Sequence, residues 1–558
     1  MLPKMGAEKF VMLAVTAIIC TMILYPIGVL IYKSFTISEW GKPVVYTLSN
    51  YAKIFTTDRY LLAIWNSLIV SLGTTAFAGA LGIVLAWITA RTNTPLRVKL
   101  EPLNIIPFFL SPLVGAICWS YILSPKVGLL NVYLMRIFNL SEAPFNIYGL
   151  GGIIWVMGLF WAPYVYLFTI GLFQKMDPAL EEAAKTCGAS QFQVIRNITF
   201  PLALPGILYA SIIVFIIGIG VFSVPAMLIT PIGKSVLGTE IWEIVSSYPG
   251  NYNLASAVCM ITFVMCITLV MVQRKILLKR EYTMVTGKGY RPGLIDLGRW
   301  KYAALAFNLS YLLIAVIAPL GILVLVSLHR LWTGAPDFHN LTLSNFTFLL
   351  TKYNITMTAI WNSLILGFFG ATAAMSACVV LVFILVRTKM KGRSILDVIT
   401  SLPLGIPGIV FAMGLLAAYI KTPLYGTLWV LGLAYITVFL PTGMRSTNAI
   451  FLAVSPELEE SSRTCGASWF ATIKNISIPL MKSGLIGGWL ILFLVFVKEI
   501  NTSILLFTPG NEVMSIVLFQ LTAEHTSPTV AAYGVILTGI LLAAVWCIRK
   551  VIGLEQVS

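Results

Sequence analysis

The chain is short of charge. Only 10% of its 558 residues are Asp, Glu, Lys or Arg, against roughly 25% in a soluble domain. So few ionised side chains cannot cover a water-facing surface, which excludes a soluble globular fold. Hydrophobic residues make up 58% and mean hydropathy is +0.92. They gather in runs of about twenty residues, the length a helix needs to cross the hydrocarbon core. The alternating segments of roughly ten residues that build an outer-membrane barrel are missing. The expected fold class is therefore all-α, a polytopic inner-membrane bundle of about twelve helices in two pseudo-symmetric halves.

Other shortages narrow the function. There are three histidines and eight cysteines, none at metal-ligand spacing. His329, His339 and His525 scatter over the outer side, where solvated or docking positions are expected. Cys20, Cys118, Cys259, Cys266, Cys378 and Cys547 lie in apolar stretches. Cys187 and Cys465 fall in segments assigned to the cytosol, where thiols stay reduced, so no disulfide framework is expected. Their matching places suggest packing. No nucleotide loop is present: Ile232-Gly233-Lys234-Ser235 resembles only the tail of one, with Leu228 where the first Gly belongs. No His, Cys or acidic set converges on one membrane face as an integral-membrane enzyme requires. The chain is expected to bind no cofactor and to catalyse no reaction itself.

Twelve apolar stretches are present, near 10–33, 61–90, 102–124, 149–173, 205–229 and 254–273, then 302–328, 357–386, 396–420, 424–450, 484–508 and 529–548. The first, from Phe10 to Ile31, exceeds the roughly 7–15 residues of a signal-peptide core and reads as a retained span. Lys and Arg number 37 against 21 Asp and Glu. With the N-terminus in the cytosol, 26 of the 37 basic residues fall in cytosolic segments and 10 opposite, with Lys498 inside a span. That bias places both termini inside and explains the net charge without nucleic acid. The basic stretch 277–300, with Gly287, Gly289, Pro292 and Gly293, reads as a solvated cytosolic linker between a first half, 1–276, and a second, 301–558.

The halves repeat each other. Thr47-Leu48-Ser49-Asn50 returns as Thr342-Leu343-Ser344-Asn345. Ala63-Ile64-Trp65-Asn66-Ser67-Leu68-Ile69 returns unchanged from Ala359 to Ile365, and Arg91-Thr92 as Arg387-Thr388. With six spans per half, the copies run in the same direction, as in a parallel repeat about the membrane normal. The third block runs from Asp177 to Leu202 and again from Ser455 to Leu480. Asp177 and Ser455 suit a helix N-cap, and Pro178 and Pro456 the first helical position. Glu181, Glu182, Glu457, Glu459 and Glu460 lie near the positive helix end. Leu180, Ala183, Ala184 and Cys187 form one apolar stripe. Gly188 and Gly466 suit a left-handed stop. Ser190 and Ser468 suit the cap of a second short helix, which Pro201 and Pro479 are expected to end. The expected product is a rigid helix-turn-helix knob at the cytosolic surface, with a lipid-binding surface helix as its bland alternative.

This block resembles the cytosolic motif of permeases in binding-protein-dependent (type I) ABC importers: Glu-Ala-Ala, three residues, Gly, about nine residues, then Ile-x-Leu-Pro. Glu182-Ala183-Ala184, Gly188, Ile198, Phe200 and Pro201 match, with Phe for Leu. Glu460, Gly466, Ile476, Ile478 and Pro479 match, with Ser461 and Ser462 for the alanines. The resemblance implies that both loops, through Glu181, Glu182, Ala183, Ala184, Gly188 and Pro201 and through Glu459, Glu460, Gly466 and Pro479, dock on two copies of a cytosolic ABC ATPase. ATP and Mg would be used there, and a periplasmic or lipid-anchored binding protein would deliver substrate.

One stretch breaks the symmetry. Lys498, Glu499, Asn501, Thr502 and Ser503 fall in the eleventh apolar run, where charge is costly and often functional. Alignment through the repeat puts Gly220 and Val221 opposite the charged pair. A translocation path or gate is one reading, and a structural lock between helices the other. Lys498 to Leu506, with Leu402 to Val410, is similar to permeases of iron(III) importers; thiamine, phosphonate, sugar-phosphate and polyamine permeases share much of the pattern. A secondary transporter with six plus six spans is the competing class. Its expected acidic, glycine-rich signature is missing between Arg91 and Glu101, which holds no Gly or Asp.

Overall fold

Hydrocarbon offers no partner to a backbone N–H or C=O, so apolar crossings must be helical. The computed structural model describes residues 7–38, 43–278, 293–388 and 390–552 and is helical almost throughout. The only sheet among the described residues is a small ribbon, Thr36–Ile37 against Val45–Tyr46. Among the described residues, ten helices are long and apolar enough to cross a membrane: Val11–Ser34, Asp58–Arg91, Leu150–Lys175, Gln191–Ile219, Tyr252–Gln273, Trp300–Ser327, Ile355–Arg387, Leu428–Leu452, Phe470–Lys498 and Ser527–Cys547. Two bent pairs supply the expected third and ninth spans, giving up to 12. The linker expected at 277–300 lies largely outside the described residues.

The apolar spans expected near 102–124 and 396–420 are each two helices with a sharp bend between them. Arg97–Phe109 turns into Pro112–Leu123 by 93°, and Arg393–Gly405 into Gly408–Tyr419 by 108°. Proline has no N–H and pushes its predecessor out of the helical region. Ser111, ahead of Pro112, is extended at ψ 129°, and Ile406, ahead of Pro407, at ψ 118°. The fifth and eleventh spans also differ from 205–229 and 484–508: their helices start earlier and stop at Ile219 and Lys498. The breaks meet the bends. A Cβ added to Gly220 would lie 2.1 Å from Pro407 Cβ, and one on Gly408 would lie 2.7 Å from Thr502 Oγ1.

The sequence repeats have matching structural roles. Asn50 Nδ2 donates to the carbonyls of Ser34 (3.3 Å) and Thr36 (3.0 Å), just past the first span. Asn345 Nδ2 donates to those of Ser327 (2.9 Å) and His329 (2.8 Å), just past the seventh. Both satisfy carbonyls that a helix end leaves without a partner. The identical heptapeptide acts on the short helices Leu237–Ser246 and Met514–Glu524. Asn66 Nδ2 donates to Ser235 O, and Leu237 N donates to Ser67 Oγ at 2.8 Å. Asn362 Nδ2 donates to Glu512 O, and Met514 N donates to Ser363 Oγ at 2.8 Å.

The halves interlock. The first span packs on the sixth and also on the ninth, in the other half; the seventh packs on the twelfth and on the third. Gly414 permits the first approach, since a Cβ there would meet Pro26 O at 2.9 Å. Tyr311 Oη, on the seventh span, also donates to Leu159 O on the fourth at 3.1 Å. One apolar core runs through both halves.

Asn50→Ala and Asn345→Ala each strip two buried carbonyls of their donor. Each change is expected to cost about 1–3 kcal/mol, read as a lower Tm of the detergent-purified chain. An unchanged Tm in both variants would overturn the assigned role.

Candidate functional site

The duplicated loops lie at one end of the bundle. In the first, Pro178–Thr186 is helical and Asp177 Oδ1 accepts from Ala179 N at 2.8 Å, the expected cap. Gly188 sits at φ +87° and Gly466 at φ +87°, which favours glycine at both turns. Ser190 and Gln193 form a reciprocal capping box. Pro201 and Pro479 do not end the following helix. Each sits in the first turn after a π-helical turn, Ile195–Thr199 or Ile473–Ser477, and the helix continues into the span. A wider turn absorbs the hydrogen bond that proline cannot make.

The two faces of the short helices differ. Glu181 is buried and its Oε2 lies 2.5 Å from Arg91 Nη2. Thr199 Oγ1 donates to Glu181 Oε1 at 2.8 Å. The second loop repeats the arrangement: Glu459 Oε2 lies 3.3 Å from Arg387 Nε, and Ser477 Oγ donates to Glu459 Oε1 at 3.0 Å. Arg387 Nη2 also donates to the carbonyls of Phe451 and Val454. Arg91 has no such support: it is fully buried, and its Nε and Nη1 find no acceptor among the described residues. Glu182, Glu460, Leu180, Leu458, Ala183, Gly188 and Gly466 are exposed, and Ala184 is half-buried. Cys187 and Cys465, expected to pack, are exposed too. Among the described residues, nothing covers Leu180, Ala183 and Cys187 of the apolar stripe.

The second candidate is a polar knot where the broken spans meet. Lys498 is the last residue of its helix and Glu499 is extended, so the pair does not share a helix as expected. Lys498 Nζ donates to Phe108 O and to Leu110 O (3.3 Å) at the bend of the third span. It lies 4.8 Å from the centre of the Phe108 ring. Asn501 Oδ1 accepts from Phe222 N at 3.0 Å and Ser223 N at 3.3 Å. Lys498 and Asn501 thus bind the second half to the broken backbone of the first. Glu499 turns back on its own segment, accepting from Thr502 N and Thr502 Oγ1. Glu499 O accepts from Ser515 Oγ at 2.5 Å and Ser503 Oγ at 3.1 Å, and Ser503 Oγ pairs with Tyr435 Oη at 2.5 Å. Nearer the loops, Arg445 reaches over the Tyr209 ring of the first half at 4.4 Å. With Arg393, Asp397 and Asn448 it lines a cavity of about 480 Å³.

Sequence reasoning missed Arg91 and Arg387, although the repeated Arg-Thr pair was visible; the signal was that each copy of the block needed a counter-charge for its inward Glu. Tyr435, Ser515 and the Phe108 and Leu110 carbonyls left no signal. His329 is buried rather than solvated, with Nδ1 2.7 Å from Leu325 O and Nε2 accepting from Asp337 N. No metal-holding group of His, Cys, Asp and Glu occurs among the described residues.

Removing one partner of a buried ion pair leaves the other uncompensated. Glu181→Ala is expected to cost about 3–5 kcal/mol, whereas exposed Glu182→Ala stays within about 0.5 kcal/mol. Glu459→Ala costs less than Glu181→Ala, because two carbonyls still hold Arg387. Thermal melts of the three purified variants check the order, and equal losses from Glu181 and Glu182 would overturn it.

The family model described as "Binding-protein-dependent transport system inner membrane component" matches twice, at residues 80–281 and 386–550, and each match contains one loop. The "Ferric transport system permease protein FbpB" of Actinobacillus pleuropneumoniae is 25% identical over 99% of this chain and 80% of its own length. A "Putative ferric transport system permease protein FbpB 1" of Haemophilus influenzae is 26% identical over 92% of this chain and 81% of its own. The "Spermidine/putrescine transport system permease protein PotB" of Salmonella typhimurium is 30% identical over 32% of this chain and 62% of its own length. Two family matches in one chain, on a bundle of two interlocked halves, show that it belongs to the binding-protein-dependent transport system inner membrane components, as a fused permease of a type I ABC importer.

Proposed function

We propose that this chain passes ferric iron from the periplasm or cell exterior to the cytosol by alternating access, driven by two copies of a cytosolic ABC ATPase. The observation that carries the drive mechanism is the duplicated loop: a short helix fixed from within by a buried Arg–Glu pair and left open on its outer face. An anchored helix can transmit force, and an uncovered apolar stripe needs a partner. Two such loops call for two ATPase copies, which would bind ATP and Mg; a periplasmic or lipid-anchored protein would supply the cargo. The basic-residue bias supports a multi-pass protein of the bacterial inner membrane with both termini and both loops in the cytosol. Similarity to the ferric permeases over nearly the whole chain supports iron, while the polyamine permease is similar over only a third.

In this reading the knot of Lys498, Glu499, Asn501, Thr502 and Ser503 is the gate. Lys498 and Asn501 hold the halves together through backbone groups and the Phe108 ring, so separating the halves frees them without breaking a buried ion pair. The cavity at Arg445 lies on the cytosolic side of that closure.

The test is reconstitution in proteoliposomes with the ATPase and an Fe(III)-loaded binding protein. Loaded binding protein is expected to stimulate ATP hydrolysis and drive Fe(III) uptake. Gly188→Leu and Gly466→Leu force a side chain into a left-handed turn at a local cost of about 1–2 kcal/mol, at positions where nothing lies within 4 Å of the added Cβ. Each is expected to reduce stimulation severalfold in a folded chain. Uptake without any ATPase, indifferent to both changes, would overturn the importer mechanism. Stimulation by a polyamine-loaded but not an Fe(III)-loaded binding protein would overturn the substrate.

A further inference from the structure

The second span ends at Arg91, and Thr92 leaves the helix in an extended conformation, φ −116° and ψ 160°. Extended backbone exposes an N–H and a C=O that the helix no longer uses. In the first half both are taken by the segment just ahead of the seventh span. Ile295 N donates to Arg91 O at 2.8 Å, and Asn93 N donates to Ile295 O at 3.1 Å, forming a parallel bridge beside Thr92. The Asn93 side chain extends the grip: Leu297 N donates to its Oδ1 at 3.1 Å, and its Nδ2 donates to Asp296 Oδ1 at 2.5 Å. Gly298 N donates to the same Asp296 oxygen at 2.9 Å. Two residues later the seventh span begins at Trp300.

The gripped carbonyl belongs to the arginine whose side chain holds Glu181. One residue therefore touches the first coupling helix through its guanidinium and the leading end of the second half through its backbone. Among the described residues the second half shows no counterpart. Thr388 leaves its helix with nearly the same angles, φ −115° and ψ 159°. Among the described residues its segment is met only locally, by Arg393 Nη1 donating to Thr388 O at 2.9 Å and Met390 N donating to Thr388 Oγ1.

We propose that Asn93 and Asp296 are positioning residues for transport: they latch the start of the seventh span to Arg91, so that movement of the first coupling loop is passed directly to the second half. The inference rests on the reading of that loop as the ATPase contact. The seventh span packs on the third, whose bend supplies the carbonyls that hold Lys498, so the latch links one loop to the knot through contiguous packing. The latch stays closed through the cycle. Asp296 has the character of a fixed member: the Gly298 N–H, and after it the Asn93 amide, hold its carboxyl below the ordinary aspartate range.

The experiment is Fe(III) uptake per ATP hydrolysed, measured in the reconstituted complex with its ATPase and binding protein. Asn93→Ala and Asp296→Ala are expected to lower that ratio about fivefold or more, with ATPase binding and basal hydrolysis unchanged. Asp296→Asn keeps an oxygen acceptor and is expected to stay near the wild-type ratio, a rescue that a charge requirement would not give. The pair N93C and D296C is expected to be uncoupled when reduced and restored when oxidised to a disulfide. A wild-type ratio in both alanine variants, or an oxidised pair no better than the reduced one, would overturn the latch. Hydrolysis stimulation untouched by Gly188→Leu would sink the coupling-loop reading and the latch with it, whereas a wild-type ratio in the Asn93 and Asp296 variants alone sinks only the latch.

Discussion

A carbonyl without a partner in the hydrocarbon core has no water to turn to, and the centre of this molecule is organised around that fact. Prolines bend the third and ninth spans, and the fifth and eleventh helices stop at Ile219 and Lys498. Every such break frees backbone groups. The breaks of the first half are answered by side chains from the second, Lys498 on the Phe108 and Leu110 carbonyls and Asn501 on the Phe222 and Ser223 amides, while Ser503 and Ser515 of its own half serve the Glu499 carbonyl beyond the eleventh helix. The interface between halves is therefore polar where it is most deeply placed, and each polar contact has a backbone group at one end. Such contacts satisfy the breaks while leaving separation of the halves possible.

At the loops the same economy takes a charged form. A short surface helix has little apolar area with which to fix its orientation. Glu181 and Glu459 supply the fixing, each turned inward to an arginine that closes the second or eighth span and to a hydroxyl at the start of the fifth or eleventh. The two anchors are not equivalent. Arg387 spreads its donors over two carbonyls as well as the carboxylate, while Arg91 depends on Glu181 and is wholly buried. An anchor that rests on one carboxylate is the more sensitive to displacement, and it is also the one whose backbone is held by the segment before the seventh span.

Much of this was legible in the sequence because duplication exposes constraint. The repeated Asn50 and Asn345, Asn66 and Asn362, and Ser67 and Ser363 each turn out to serve a helix end, and the two glycines adopt the expected left-handed turns. The class of fold, the number of crossings and the family followed from apolar runs and the loop motif. What was not legible is where backbone meets side chain. Sequence marks a proline but not whether a π-helical turn will absorb it, so Pro201 and Pro479 read as stops when they lie inside continuous helices. It marks Lys498 but cannot place the carbonyls of Phe108 and Leu110, since carbonyls carry no residue identity. Periodicity likewise showed an apolar stripe at Leu180, Ala183 and Cys187 without showing that these three are exposed in the fold.

The asymmetry at the centre follows from the duplication rather than against it. Two identical halves meeting at a twofold axis would place two lysines, or two glycines, at the same break. Two ammonium groups there, one for the carbonyls of each bend, would repel each other in a medium that screens poorly. Two glycines would leave those carbonyls unpaired. One lysine opposite one glycine avoids both costs: Gly220 makes room for the Pro407 bend, where any Cβ would clash, and Lys498 serves the bend of the third span. Fusion into one chain lets the two positions differ while remaining in fixed stoichiometry, and the same freedom allows the first coupling loop to be tied to the opposite half.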